Sequence, residues 1–588
     1  MGEQKLAKKA ALAVFSSDAL SSTAYATEEI LLALLVAGTA AFSFSVPVSL
    51  LIVGLLWVVV ASYSQTLEAY PTGGGAYTVA KENLGIHAAL VGGAALLTDY
   101  VLTVSVSVAA GIAAITSAVP ALYPHRVGLC LLAIFVIMWA NLRGVRESAA
   151  LFAGPVYLFI VSAYLLAIGS LVRYGMGPHA VASSEAQPAQ ALEAMSLFVF
   201  LRAFASGCTA LTGIEAVANG VQAFRPPVAR NAKITLWIMG SILGTMFLSV
   251  TVSAHLYGIV PNDKETVLSQ LGRITFGTGA IYYVVQASTM AILVLAANTS
   301  FADFPRLSSF IARDRYMPRQ FSNMGDRLVF SNGIIFLGLS ASVLVVIFKG
   351  DVHRLIPLYM VGVFVAFTLS QAGMVVHWLK SREKGYRWRM AMNGVGAVTT
   401  TIVLLIVGAM KFVHGAWVVL IAIPVQVWVF LEIHHHYSRV ADELRLNDKD
   451  QMRDLRHTVV VPIAGMNRAT LGAIEYARSL SKDVIAVQVN VDSAESNLFQ
   501  EQWEKWVQDV PLVVLNSPFR AIVRPLLNFI DEVGHFHEEG MVTVLLPEFV
   551  PARWWERLLH NQHGLMLQGA LMFKPNVVVT NVRRQLSR

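Results

Sequence analysis

The sequence predicts an α-helical polytopic membrane protein of about a dozen spans, followed by a soluble α/β domain, and three observations carry that reading. Of the 588 residues, 55% are hydrophobic and only 14% charged, and the mean hydropathy of +0.59 lies well outside the globular range. The apolar residues come in runs of about 20, the length a helix needs to cross the hydrocarbon core of a bilayer. After His434-His-His436 that pattern stops, and short apolar strands alternate with helical segments.

Taken in order, the runs give twelve candidate spans, roughly 10–38, 44–68, 88–118, 127–142, 149–172, 194–222, 234–259, 278–303, 330–348, 355–378, 392–411 and 415–433. The first is too long and too polar at its centre for a cleaved signal peptide, and no small-residue cleavage site follows it. Lys and Arg in the short loops set the orientation. One side holds Lys5, Lys8, Lys9, Arg143, Arg146, Arg225, Arg230, Lys233 and the clusters from Arg306 to Arg327 and from Lys380 to Arg389. The alternate loops hold far fewer, chiefly Arg126, Arg173, Lys264, Arg273, Lys349, Arg354 and Lys411. Both termini are therefore expected in the cytoplasm, with an even number of spans across the inner (cytoplasmic) membrane. The net charge of +7 and pI near 9.3 follow from this asymmetry and from contact with anionic membrane lipid, so they imply no nucleic-acid partner. Cys130 and Cys208 both fall in spans, which leaves neither a disulfide framework nor a metal ribbon.

The domain boundary is expected at 436/437. In 437–588, strands are predicted at Thr458-Val-Val-Val-Pro, at Asp483-Val-Ile-Ala-Val-Gln-Val-Asn-Val, at Leu512-Val-Val-Leu, at Met541-Val-Thr-Val-Leu-Leu and at Asn576-Val-Val-Val. Helices are predicted from Ala469 to Leu480 and from Ala494 to Val507. Buried strands separated by helices argue for a parallel sheet.

Within the spans, acids and hydroxyls stand where lipid would demand Leu. An ionisable side chain there costs about 2.5–3.5 kcal/mol even on the lenient insertion scale. In Phe15-Ser-Ser-Asp18-Ala-Leu-Ser-Ser-Thr-Ala-Tyr25, small polar residues between Asp18 and Tyr25 favour unwinding, which would expose carbonyls as ligands; the competing reading makes Asp18 an ordinary helix N-cap. Asp99, Thr103 and Ser107, at i, i+4 and i+8, stack a carboxylate and two hydroxyls on one helical face, unless the hydroxyls only bond back to their own helix. Thr212 and Glu215 lie one turn apart after Gly207 and around Gly213, where glycine can break the helix and aim both inward. Interruptions at matching places in two halves of a hydrophobic chain mark the central site of a transporter. Carboxylate, hydroxyl and carbonyl oxygens suit a hard alkali cation. Three buried acids on one cavity cannot all be charged when it is empty, so a bound monovalent cation can be matched with a proton held at a separate site. Glu215 is assigned the proton, Asp18 and Asp99 the cation.

Tyr359, after Pro357, supplies a phenol oxygen to the same cavity or sits in an interfacial aromatic belt; both readings stand. Tyr70-Pro-Thr-Gly-Gly-Gly-Ala-Tyr77 reads as a cytoplasmic loop making tight turns, Gly394-Val-Gly396 as helix packing, and His434 to His436 as a hydrated junction in preference to a metal site. No phosphate-loop motif, nucleophile-base pair or metal-ligand cluster appears, so neither an enzyme nor a cofactor is expected.

With these residues in view, the membrane part resembles the amino acid/polyamine/organocation permease superfamily, through the Pro71 to Tyr77 loop and Asn298-Thr-Ser-Phe-Ala-Asp303-Phe-Pro-Arg306. Within it, Asp18 with Tyr25, Asp99 with Thr103 and Ser107, and Thr212-Gly-Ile-Glu215-Ala216 resemble the motifs of the KUP-type potassium uptake family, especially its KimA-like branch, over about 430 residues. The resemblance implies twelve transmembrane helices in a LeuT-like inverted repeat of five plus five, with helices 1 and 6 broken. It also implies proton-coupled potassium import, with Asp18, Tyr25, Asp99, Thr103, Ser107, Thr212, Glu215 and Tyr359 around the ion path, potassium held by Asp18, Asp99 and Thr212, and a homodimer formed through the cytoplasmic domain. The chain departs from amino acid permeases at Ser16-Ser-Asp18, where an acid would repel a substrate carboxylate. The tail is similar to universal stress proteins, but Gln568-Gly-Ala-Leu-Met-Phe-Lys574 lacks the glycine-rich phosphate loop of the nucleotide-binding members, which weighs against a nucleotide regulator. The competing functions are an amino acid or amine permease and a membrane-bound sensor with the tail as output.

Overall fold

The first apolar run does not form one helix. Lys8–Ser21 (α1) gives way to a 3-10 turn at Ser22–Ala24, Tyr25 leaves helical geometry, and Ala26–Leu35 (α2) resumes the chain. The local chemistry accounts for this. Ser21, Ser22 and Thr23 each donate a hydroxyl hydrogen bond to the carbonyl three residues earlier, at 2.7, 2.6 and 2.7 Å, offering the backbone an alternative to the regular helix ladder. A second break lies far along the sequence. Leu197–Gly207 (below, α8) ends in a 3-10 turn at Cys208–Leu211, Thr212 is extended, and Gly213 takes φ +78° before helix returns.

The computed structural model describes residues 5–586 apart from 72, 74, 145–148, 177–191, 326–328, 448–454, 491–492, 518–520, 537–539, 552–555 and 557–562. Thr72, Gly74, Arg146 and Arg327, used in the loop and orientation readings, lie outside the described residues. After α1 and α2 come α3 (Ser45–Ala69), α4 (Ala76–Asn83), α5 (Ile86–Ala118), α6 (Arg126–Leu142), α7 (Ala149–Gly175), α8, α9 (Ala216–Asn219), α10 (Val228–Leu256), α11 (Val267–Phe276), α12 (Ala280–Arg313), α13 (Ser331–Ile347), α14 (Val352–Ser381), α15 (Tyr386–Lys411) and α16 (Ala416–Glu443). Among the described residues ten helical segments are long and apolar enough to cross a membrane; α13, at 17 residues, is shorter, and the first run is divided by its break. Large apolar side chains such as Leu132, Phe135, Leu165, Leu339 and Leu405 are exposed on the outside of the bundle, as lipid-facing positions of a multi-pass membrane protein are.

The broken segments pack inside. α5 lies against α12 and α14, while α1 contacts α7 and α12, and α2 contacts α8. Gly362 of α14 brings that helix close to α5, since a Cβ there would stand 2.9 Å from the Ala95 carbonyl oxygen and 3.6 Å from Asp99 Cβ. Small residues permit such approach where lipid gives no hydrophobic drive between helices. Two ends differ from the sequence expectation. α12 runs past the expected end at 303 to Arg313, which places Asp303 inside the helix, and α16 continues through His434, His435 and His436 to Glu443, with the His434 ring stacked 4.2 Å from Tyr316.

The chain divides into two compact units, Met1–Leu444 and Arg445–Arg588. The second unit contains β1 (His457–Ile463), α17 (Arg468–Leu480), β2 (Asp483–Asn490), α18 (Ser493–Trp506), β3 (Leu512–Asn516), α19 (Val523–Phe536), β4 (Met541–Val550), α20 (His563–Leu571) and β5 (Val577–Gln585). The sheet is parallel throughout, in the order β3-β2-β1-β4-β5. Its near-continuous apolar strands are covered on both faces: Val459, Val461 and Ala486 pack with Ile474 and Trp503, while Val460, Val487 and Val544 pack with Leu526 and Ile530. Gln568 to Leu571 belong to α20, and Lys574 beyond it pairs with Asp531.

Candidate functional site

The two breaks face each other. Ser22 of the first donates a hydrogen bond to the Ala210 carbonyl of the second at 3.2 Å. Asp18, half-buried, lies over Gly213: a Cβ built there would come within 2.7 Å of both Asp18 Oδ2 and the Ala19 backbone nitrogen. Gly213 is therefore required twice, by its left-handed φ and by the carboxylate above it.

Around this crossing the structure gathers seven of the eight residues singled out from sequence. Tyr25 lies beside Thr212, and the Tyr359 hydroxyl lies beside Thr103. Asp99, on α5, is close enough to Glu215 and Asp18 for their charges to act on it. Tyr25, Asp99, Thr103, Thr212, Glu215 and Tyr359 are all buried. Ser107 is also buried and stands one turn beyond Thr103 on the same face of α5. Tyr359, on α14, is 1% exposed. Asp99 Oδ1, Thr103 Oγ1 and Glu215 Oε2 have no hydrogen-bond partner among the described residues. Buried polar atoms without partners are rare in folded proteins, and each calls for an explanation such as an ion.

Sequence reasoning missed several neighbours. Asp303 of α12 acts electrostatically on Asp18 and Glu215, and its own nearby cation is Arg306. Tyr100, the residue after Asp99, feels Asp303, Glu215, Asp99 and Asp18 together, and its hydroxyl accepts from Asn219 Nδ2 at 3.3 Å. Tyr63 of α3 lies near Glu215 and Ser370. For Asp303 the available signal was the quoted Asp303-Phe-Pro-Arg306 motif. Tyr63 offered none, because one tyrosine in an apolar run says nothing about what it meets.

The arrangement provides carboxylate, hydroxyl and unwound backbone oxygens inside an apolar bundle. That donor set suits a hard cation. Two breaks meeting at an acid-lined crossing within a bundle of apolar helices define a membrane permease. The chain matches the amino acid permease family over residues 8–431 and the KimA potassium transporter C-terminal domain over residues 455–584. Potassium transporter KimA of Bacillus subtilis (strain 168) is 45% identical over 583 residues, covering 99% of this chain and 96% of that protein. The chain belongs to the KimA branch of the KUP-type potassium transporters, within the amino acid/polyamine/organocation permease superfamily.

Proposed function

We propose that this chain imports potassium together with protons by alternating access. The observation that carries the reading is the set of partnerless buried oxygens, Asp99 Oδ1, Thr103 Oγ1 and Glu215 Oε2, gathered where the breaks cross. Asp18, Asp99 and Thr212 hold the potassium ion, with Tyr25, Thr103, Ser107 and Tyr359 lining its path, and Glu215 carries the proton. Separate sites matter, because a shared one would make the two cations compete. The name of the Bacillus subtilis relative, a potassium transporter, supports the choice of ion.

The same reading takes the divided first run and α13 as membrane crossings in addition to the ten long segments, giving twelve helices in an inverted repeat of five plus five. Both termini are cytoplasmic in the inner membrane. The α/β unit is a universal stress protein-like domain through which two copies pair. An amino acid permease is the second reading, favoured by the family match over residues 8–431. The carboxylate of Asp18 against Gly213 opposes it, since a substrate carboxylate at that break would meet like charge.

The test is rubidium uptake into proteoliposomes under an imposed pH gradient, with amino acids as competitors. Proton-driven uptake indifferent to amino acids is expected. Amino acid flux without cation flux would hand the acids to an organic substrate.

A further inference from the structure

A cavity of about 320 Å³ is walled by Glu28 of α2, Ala109 and Ile112 of α5, Thr266 at the start of α11, and Val352 and His353 of α14. Three of these helices also carry the candidate site. Glu28 lies within one turn of Tyr25, Ile112 less than two turns beyond Ser107, and His353 less than two turns from Tyr359. Arg126, Lys264 and Arg354 border the same cavity, and they belong to the loops poor in cations, opposite the Lys- and Arg-rich side. Only about 8 Å of α5 separates the cavity wall from Ser107, yet Tyr25, Ser107 and Tyr359 are all buried.

What stands at this wall is a set of polar bonds between the same helices. Glu29 Oε1 meets His353 Nδ1 at 2.7 Å and Glu28 Oε1 faces His353 Nε2 at 3.5 Å, so one imidazole bridges α2 to α14. Glu28 Oε2 accepts from the Val267 backbone nitrogen at 3.1 Å, and the Thr266 nitrogen donates to Ser117 Oγ at 3.1 Å, which fastens the start of α11 to both α2 and α5. Glu28 and Glu29 are buried, whereas His353 is partly exposed. Polar pairs between membrane helices often serve only as packing glue. Apolar side chains would hold these helices without the cost of burying two carboxylates. What apolar packing lacks is a bond that water can replace when it opens, and Glu28 and His353 already line a cavity from which water can reach them.

We propose that this cavity is the outer mouth of the ion path and that the bridge of Glu28, His353 and Glu29 is its gate. Intact, the bridge holds α2 and α11 against α14 and α5 and shuts the mouth off from Ser107. Broken, it lets α2 move away from α14 and admits potassium. His353 is then a positioning residue, acting on transport through α2. The proposal rests on the alternating-access reading and on the cytoplasmic placement of the termini.

The experiment uses intact cells expressing the full chain with Cys130→Ala and Cys208→Ala, carrying either Ser107→Cys as reporter or Asp263→Cys, at an exposed position lining the cavity, as control. A membrane-impermeant thiosulfonate reagent is applied outside. Asp263→Cys is expected to react fast in every background. Ser107→Cys should react slowly while the bridge is intact, and about ten-fold faster with His353→Gln or Glu29→Gln, since losing one charge-assisted hydrogen bond shifts a two-state equilibrium by at least that factor. Arg354→Ala, which breaks only the surface pair with Asp351, should leave the rate unchanged. With Ser107 and both cysteines native, His353→Gln should also lower the half-saturating external rubidium concentration several-fold, because more chains present the outward-open form; destabilisation alone would not move it. A labelling rate of Ser107→Cys in the folded fraction that neither bridge variant changes would overturn the gate, and so would a rate that matches Asp263→Cys with the bridge intact. Asp263→Cys reacting only after the cells are permeabilised would overturn the orientation instead, and absence of rubidium uptake by the chain with its bridge intact would overturn the transport reading.

Discussion

One methyl group at Gly213 would strike both Asp18 Oδ2 and the Ala19 nitrogen, and it would sit on a backbone at φ +78° that an L side chain adopts at roughly 1–2 kcal/mol. Gly213→Ala is therefore expected to push the two breaks apart, lowering rubidium uptake far more than it lowers expression, as uptake normalised to purified protein would measure. Asp99→Asn asks a different question. The amide keeps the shape and removes the charge, so uptake should vanish while the melting temperature holds or rises, because an acid with a partnerless oxygen becomes a neutral group; normal uptake would remove Asp99 from the site. Glu215→Gln should leave rubidium exchange and abolish the accompanying acidification. Asp99, Thr103 and Ser107 were legible in sequence because helical spacing alone puts them on one face. Tyr63 and Tyr100 were not, since their meaning comes from acids on other segments.

At the scale of elements, the best-tied end of a broken helix is α2. Glu29 Oε1 meets His353 Nδ1 of α14 at 2.7 Å, and Glu28 accepts from the Val267 backbone nitrogen at 3.1 Å while facing His353 Nε2 at 3.5 Å. Lys411, buried at the end of α15, donates to Ser206 of α8 at 2.5 Å and feels Glu29. Removing a partner from buried carboxylates is far more damaging than removing one from an exposed pair. His353→Ala is thus expected to lower the melting temperature of the purified protein clearly more than Arg354→Ala, whose pair with Asp351 is at the surface; equal shifts would show that the α2 contacts carry no stability. Sequence periodicity located the long helices and the starts of the five strands, because each begins in an apolar run, but it ended β4 and β5 early, where Glu548, Asn581, Arg583 and Arg584 break the apolar pattern. It overlooked α11, a short helix whose start is set by the Thr266 hydroxyl accepting from Ser269 N, and α19, whose apolar Leu526, Ile530 and Val533 fall in a stretch too polar to stand out. It also ended α12 too early, reading Asp303 as the limit of hydrophobicity, whereas the helix continues to Arg313 with Arg306 as the nearby cation of a partly buried Asp303.

For the whole molecule the distinguishing quantity is charge moved per ion. Each elementary charge crossing a membrane gains about 2.3 kcal/mol per 100 mV, and about 1.4 kcal/mol corresponds to a factor of ten in an equilibrium ratio. A carrier that brings in potassium alone therefore accumulates it by about 50-fold per 100 mV of inside-negative potential. One proton carried with each ion doubles the charge and raises the electrical contribution to about 2,000-fold per 100 mV, with the pH gradient adding its own share. Steady-state rubidium accumulation in proteoliposomes, measured at matched pH against a potential imposed by an anion gradient, should follow the two-charge slope. In Glu215→Gln the same measurement should fall to the one-charge slope if ion flux persists, because Asp18, Asp99 and Thr212 remain and only the proton is lost. A one-charge slope in the wild type would leave the partnerless Glu215 oxygen without its proposed role and make the protein a potassium uniporter built on the same crossing of broken helices.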